Sequence, residues 1–219
     1  MTTTGVRFGR VGAVAWLLGM VALTATVPAQ EGRRPAGKVT IGDIKLNYYY
    51  SPDIEVKNNS AIAAKRNFEW LQIMAEYTSE GARKAGNGKG WIEDMTVEWT
   101  VVVTPKTGKP VLMKRTVTYV DIEDGQHRAD MFLKPAFIRL RYGANRIDWR
   151  EIGVYLEIKV KDARTVRYEY NRGRMPKDWW TAEEPQVIVR EGELLTRGET
   201  PFAPLDYDYY EHMLQAPAK

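Results

Sequence analysis

The chain has 219 residues, 32 basic and 28 acidic side chains, and a formal net charge of +4 at pH 7. A balance this close to neutral excludes the strong electrostatic footprint of a nucleic-acid-binding protein. It has no cysteine, which excludes disulfides, thiolate metal centres and cysteine nucleophiles.

The first segment reads as a targeting sequence. Arg7 and Arg10 are the only charges before Glu31, and Val11–Ala29 is uncharged, with Val14, Trp16, Leu17, Leu18, Met20, Val21 and Leu23 at its centre. A basic start followed by a short apolar run is the pattern of a secretory signal. Val27-Pro28-Ala29 sets small residues before a cut between Ala29 and Gln30. The strongly apolar part is shorter than the ~20 residues a membrane span requires. Gly12, Gly19, Thr24, Thr26 and Pro28 interrupt it. The expected organisation is a signal peptide over 1–29, a flexible leader over 30–38 and one domain over 39–219. Cleavage removes two Arg and no acid, so +4 becomes +2 on 190 residues. That length supports one domain with a substantial core. Six Trp, twelve Tyr and four Phe remain to fill it.

Period-2 patterning dominates the mature chain. Val39–Tyr50 alternates through Ile41, Ile44, Leu46 and Tyr48, with one slip near Gly42. Residues 60–85 carry two patterns. Leu71, Met74, Ala75 and Thr78 have helical spacing, whereas Leu71, Ile73, Ala75 and Tyr77 alternate as a strand over 68–79 does. Trp91–Thr104 puts Met95, Val97, Trp99 and Val101 on one face. Pro105–Pro110 is a turn, and Val111–Ile122 completes a long hairpin. Glu123–Gln126 turns again, and His127–Leu133 is a short strand stopped before Pro135. Phe137–Gly143 is a connection with one helical turn. Ile152–Val160 alternates strictly, and Thr165–Tyr170 alternates after a turn at Asp162-Ala163. Val187–Val189 and Leu194-Leu195 are short closing strands. Seven to nine strands parted by Gly and Pro turns predict two packed antiparallel sheets.

The sequence holds few marks of catalysis. It lacks G-x-S-x-G, S-x-x-K with its partners, and H-E-x-x-H. His127 and His212 are its two histidines, and each reads as an ordinary residue rather than a base. Asp121, Glu123 and Asp124 before Gly125 offer oxygen ligands, but without the spacing of a calcium loop. Asp206, Asp208, Glu211 and His212 read as an acidic tail. AGNGKG (85–90) lacks the phosphate-loop pattern. No cofactor or metal is expected. A glycosidase would need two carboxylates at a set separation, and nothing singles out such a pair.

Aromatic residues supply the candidate binding groups. Trp179 and Trp180 sit in a polar loop (172–185) bounded by Pro176 and Pro185. If one ring enters the core, the other is left for a sugar or a protein surface; otherwise both rings cover an end of the sandwich. Tyr48-Tyr49-Tyr50 and Tyr207, Tyr209 and Tyr210 have the same two readings.

FEWLQIMAEYTSE (68–80), WIEDMTVEWTVVV (91–103), VTYVDIEDGQHRADMFLKP (117–135), Tyr142-Gly143 and TPFAPLDYDYYE (200–211) resemble stretches of a family of secreted proteins of Verrucomicrobia-like bacteria, encoded beside type IV pilus genes. The resemblance implies an immunoglobulin-like β-sandwich of the envelope or exterior, associated with pilus-type machinery. It favours the strand over 68–79 and brings no catalytic residue. The sequence therefore predicts an exported, all-β, non-catalytic protein that binds envelope or pilus proteins, with a sheet edge available for strand pairing. It is expected to bind no nucleic acid and to keep no membrane span after cleavage. The alternatives are a glycan-binding module using Trp179 or Trp180, and a hydrolase with an unrecognised carboxylate pair.

Overall fold

A computed structural model describes residues 37–52, 68–84, 88–161, 163–173 and 175–205. The expected signal peptide, nearly all of the leader, and the tail with Tyr207, Tyr209, Tyr210 and His212 lie outside the described residues.

Among the described residues, the alternating segments and one added two-residue strand form ten strands. They are β1 (Lys38–Tyr50), β2 (Glu69–Glu80), β3 (Arg83–Lys84), β4 (Gly90–Val103), β5 (Val111–Glu123), β6 (Gly125–Leu133), β7 (Ile152–Val160), β8 (Val166–Tyr170), β9 (Ile188–Arg190) and β10 (Leu194–Leu195). The first sheet runs β1-β2-β6-β10; the second runs β8-β7-β4-β5-β9, with β3 added on β4. Nine strands match expected segments, and β3 is a two-residue addition between β2 and β4. The slip near Gly42 is a register shift between Ile41 and Ile44 in the β1–β2 ladder, the geometry of a β-bulge. One pairing departs from the expected antiparallel sheets: β9 runs parallel to β5. The Ile188 N–H donates to the Pro110 carbonyl at 2.8 Å, so the returning chain docks at the start of β5 and follows its direction.

The sandwich core forms where the inner faces meet. Met95, Val97, Trp99 and Val101 of β4 and Val154, Leu156 and Ile158 of β7 face Leu71, Ile73 and Ala75 of β2 and Met131 and Leu133 of β6. Each is buried, which makes this interior the main source of stability in a chain without disulfides.

Both outer faces are covered as well. On the second sheet, Val102, Leu112, Trp179 and Val187 form a separate small core. On the first, residues 196–205 cross as a strap. Phe202 stacks on Phe132 at 5.3 Å and meets Trp70 edge-on at 5.9 Å. The Arg197 Nη1 donates to the buried Asp130 carboxylate at 3.0 Å, and Gln72 donates to the same oxygen at 2.7 Å. The Arg197 Nε reaches the Leu205 carbonyl at 3.1 Å, fixing the far end of the strap. These covers explain the unbroken apolar runs Val101-Val102-Val103 and Met131-Phe132-Leu133: each residue has a buried side to occupy.

Candidate binding site

The connection from β6 to β7 carries a loop bonded to several distant elements. A short helix (Pro135–Phe137) runs into a π-helical turn (Ile138–Tyr142). Gly143 ends it at φ 83°, donating its N–H to the Ile138 carbonyl at 3.1 Å. A left-handed cap of this kind suits a residue without Cβ. Residues 144–151 (ANRIDWRE) then return to β7.

Side chains distant in sequence hold this return in place. The Tyr48 hydroxyl, from β1, donates to the Ile147 carbonyl at 3.0 Å and accepts the Ile147 N–H at 2.7 Å. Burial pushes the Tyr48 phenol up to about 12, so it keeps its proton at neutral pH and performs both roles. The Tyr142 hydroxyl accepts the Asp148 N–H at 3.0 Å. Asp148 accepts the Arg150 N–H through Oδ1 at 2.9 Å and the Glu151 N–H through its carbonyl at 2.8 Å. The Glu151 carbonyl accepts the Thr104 N–H at 2.8 Å, tying the loop to the end of β4. Arg146 makes a two-point contact with the Glu69 carboxylate through Nε and Nη2. That hydrogen bonding holds the Glu69 carboxyl below its ordinary value of 4.5, against a smaller opposing effect of desolvation.

The consequence is an open depression of about 470 Å³ at one end of the sandwich. Tyr48, Leu71 and Tyr142 belong to its lining, as do Lys106, Asp148, Trp149 and Glu151. The Trp149 side chain remains 49% exposed, with the Arg150 guanidinium 4.8 Å from its ring centroid. A fixed backbone presenting a half-exposed indole among charged groups can bind a ligand with little loss of conformational freedom.

The sequence-predicted candidates sit elsewhere. Trp179 and Trp180 open a 3₁₀ turn (Trp179–Thr181), not a strand. Trp179 is 4% exposed, lies against Gly153 and Val102, and donates its indole N–H to Glu169 Oε1 at 3.0 Å. It is a cover of the second sheet and has no free face for stacking. The rings therefore cover the outside of a sheet, not an end of the sandwich. Trp180 is half-buried and stacks flat on Tyr155, with centroids 4.5 Å apart. Tyr207, Tyr209 and Tyr210 lie outside the described residues. Within the Tyr48-Tyr49-Tyr50 run, Tyr48 holds the loop, while Tyr49 and Tyr50 are exposed.

Of the other groups weighed for chemistry, His127 and Asp124 have structural partners. His127 stacks on Tyr77 at 5.3 Å, its Nε2 2.7 Å from the Glu123 carbonyl. The Asp124 carboxylate accepts the N–H of Gly81 and, at 2.8 Å, that of Gly90, so it ties a loop together. Among the described residues no three His, Asp or Glu side chains are placed to share a metal ion. Trp149 was the residue that sequence reasoning passed over. The available signal was a lone Trp between Asp148 and Arg150, outside every alternating segment.

The fold and this loop define a cysteine-free two-sheet sandwich that presents one preorganised end. The chain belongs to the protein family whose model matches residues 30–216. It is also similar to a solved protein from Akkermansia muciniphila, with a TM-score of 0.69 and 20% sequence identity over 82% of this chain and 94% of that one. At that identity the likeness speaks to the fold. None of the curated proteins matches the chain.

Proposed function

We propose that the protein is an exported, non-catalytic partner of other envelope or pilus components, which it binds by strand pairing at β1. The observation that carries this reading is the open rim of the first sheet. β1 is thirteen residues long, pairs with β2 on one side, and has no strand on the other side among the described residues. Such a rim offers main-chain groups to an incoming strand. Its two halves differ. The bulge at Gly42 and the neighbouring Lys38 blunt the first half, as edge strands usually require. Ile44–Tyr50 runs on regularly and ends in the exposed Tyr49 and Tyr50.

Further support comes from the strand order. Lettered as A, B, C, C′, E, F and G, the strands β1, β2, β4, β5, β6, β7 and β8 form an A-B-E sheet facing a G-F-C-C′ sheet. That arrangement favours the immunoglobulin-like type, with Trp99 as the buried Trp of strand C. The family match opens at Gln30, the first residue after the expected cut, which favours export of the chain from that point. The solved relative comes from a bacterium of the group that the sequence resemblance named.

The test is photo-crosslinking in intact cells from a reactive residue placed at Tyr49, then mass spectrometry of the linked peptides. The proposal expects peptides of pilin-like or envelope proteins joined at Tyr49, and far fewer from the same probe at Lys109 on the 105–110 turn. Equal recovery at both positions, or recovery of neither with soluble monomer in the medium, overturns it.

A further inference from the structure

We infer that the depression beside Trp149 is a binding site for a neutral saccharide. It is separate from the β1 rim and stands or falls independently of strand pairing.

Three observations converge. The first is a stacking surface. Trp149 is 49% exposed, although a side chain of that size gains greatly from burial, and it lies beside a concavity instead of on a convex tip. The Arg150 guanidinium occupies one face of the ring. The second is charge. Lys106, Arg146 and Arg150 are matched by Asp148, Glu151 and Glu69 around the depression, three cations against three anions. Arg146 is already engaged by Glu69. A balanced rim gives no net attraction to a phosphate, a polyanion or a cationic peptide. It does place donors and acceptors close together, which suits hydroxyl groups that donate and accept at once. The third is rigidity. Ile147, Asp148 and Glu151 are bonded through their main chains to Tyr48, Tyr142 and Thr104. The site therefore exists before any ligand arrives. A volume of about 470 Å³ falls within the range of small-ligand sites and matches one to three sugar rings, not a folded protein surface.

Titration calorimetry of the mature chain with cellotriose, mannotriose and tri-N-acetylchitotriose tests the inference. At least one should bind with a dissociation constant below about 10 mM, the range expected of a shallow single-Trp site. Trp149→Ala should weaken that binding at least tenfold at an unchanged melting temperature. Trp149→Phe should recover part of it, and Trp180→Ala should leave it unchanged. Lys106→Ala, on a separate exposed turn, should weaken it severalfold without touching the loop. Absence of binding by all three sugars overturns the inference. So does binding that survives Trp149→Ala and Lys106→Ala together, or a Trp149 probe that crosslinks to a protein while no sugar binds.

Discussion

Replacing Trp179 with alanine asks what the tryptophan pair is for. The ring is 4% exposed and packs with Val102, Leu112 and Val187 on the outer face of the second sheet. A Cβ built on Gly153 would come within 2.9 Å of the indole, so the ring lies against β7 at its one glycine. Truncation removes that packing and the hydrogen bond to Glu169. Large-to-small changes of a buried Trp cost about 3–5 kcal/mol. For a domain near this size, about 2–4 °C is lost per kcal/mol, so the melting temperature should fall by roughly 6–20 °C. The assay is thermal and urea unfolding of residues 30–219 by circular dichroism, beside Trp149→Ala. The latter removes a ring that is 49% exposed beside Arg150 and should stay within about 0.5 kcal/mol of the parent. A Trp179→Ala loss below about 1 kcal/mol would refute the argument, because the ring would then not be holding residues 171–187 to the sheet.

Asp130→Ala should cost about 3–5 kcal/mol, because Arg197 would stay buried without its carboxylate. The double change Asp130→Leu with Arg197→Met should cost less than that, and a double-mutant cycle on urea midpoints measures the difference. Gly153→Ala should destabilise by about 1–3 kcal/mol through overpacking against the Trp179 ring. Because the closest contact is with that ring, the penalty should shrink in a Trp179→Leu background, again by urea unfolding, leaving the part due to Val102. Acid should loosen the 143–151 loop. The Glu69 carboxyl is held below its ordinary value of 4.5, chiefly by its hydrogen bonds to Arg146. Its contribution is therefore complete above 4.5 and is lost as pH falls through the lower folded-state value. Protection of the Ile147 and Asp148 amides, measured as exchange relative to the intrinsic rate at each pH, should fall across that acid window in the parent chain. In Glu69→Gln that protection should be lower already at neutral pH and nearly constant across the window.

How much of this was legible depends on whether one face or two are buried. β7 stood out because Ile152, Val154, Leu156 and Ile158 point inward while Tyr155, Glu157 and Lys159 remain at least partly open. β2 carried two readings because five consecutive residues, Leu71–Ala75, are buried. Gln72 lies under the strap, bonded to Asp130, so a polar residue occupies a buried position and the alternation is blurred. The strap itself left little trace, since Arg197, Phe202 and Leu205 form no periodic pattern and gain their meaning from Asp130 and Phe132. The tryptophan pair was half legible. One ring is buried and its neighbour is more exposed, but a 3₁₀ turn separates them, not strand alternation. Trp149 escaped notice because its placement depends on Tyr48, ninety-nine residues from Ile147 in the chain. Short-range patterns carry no information about such a contact. The parallel docking of β9 escaped for the same reason, since a three-residue strand has no marker of direction.

The most direct test of strand pairing is hydrogen–deuterium exchange across β1, with and without the partner recovered by crosslinking at Tyr49. Added protection confined to Ile44–Tyr50, with Lys38–Ile41 beyond the bulge unchanged, is the expected result. Protection that leaves Ile44–Tyr50 as it was and appears on another surface would contradict the account.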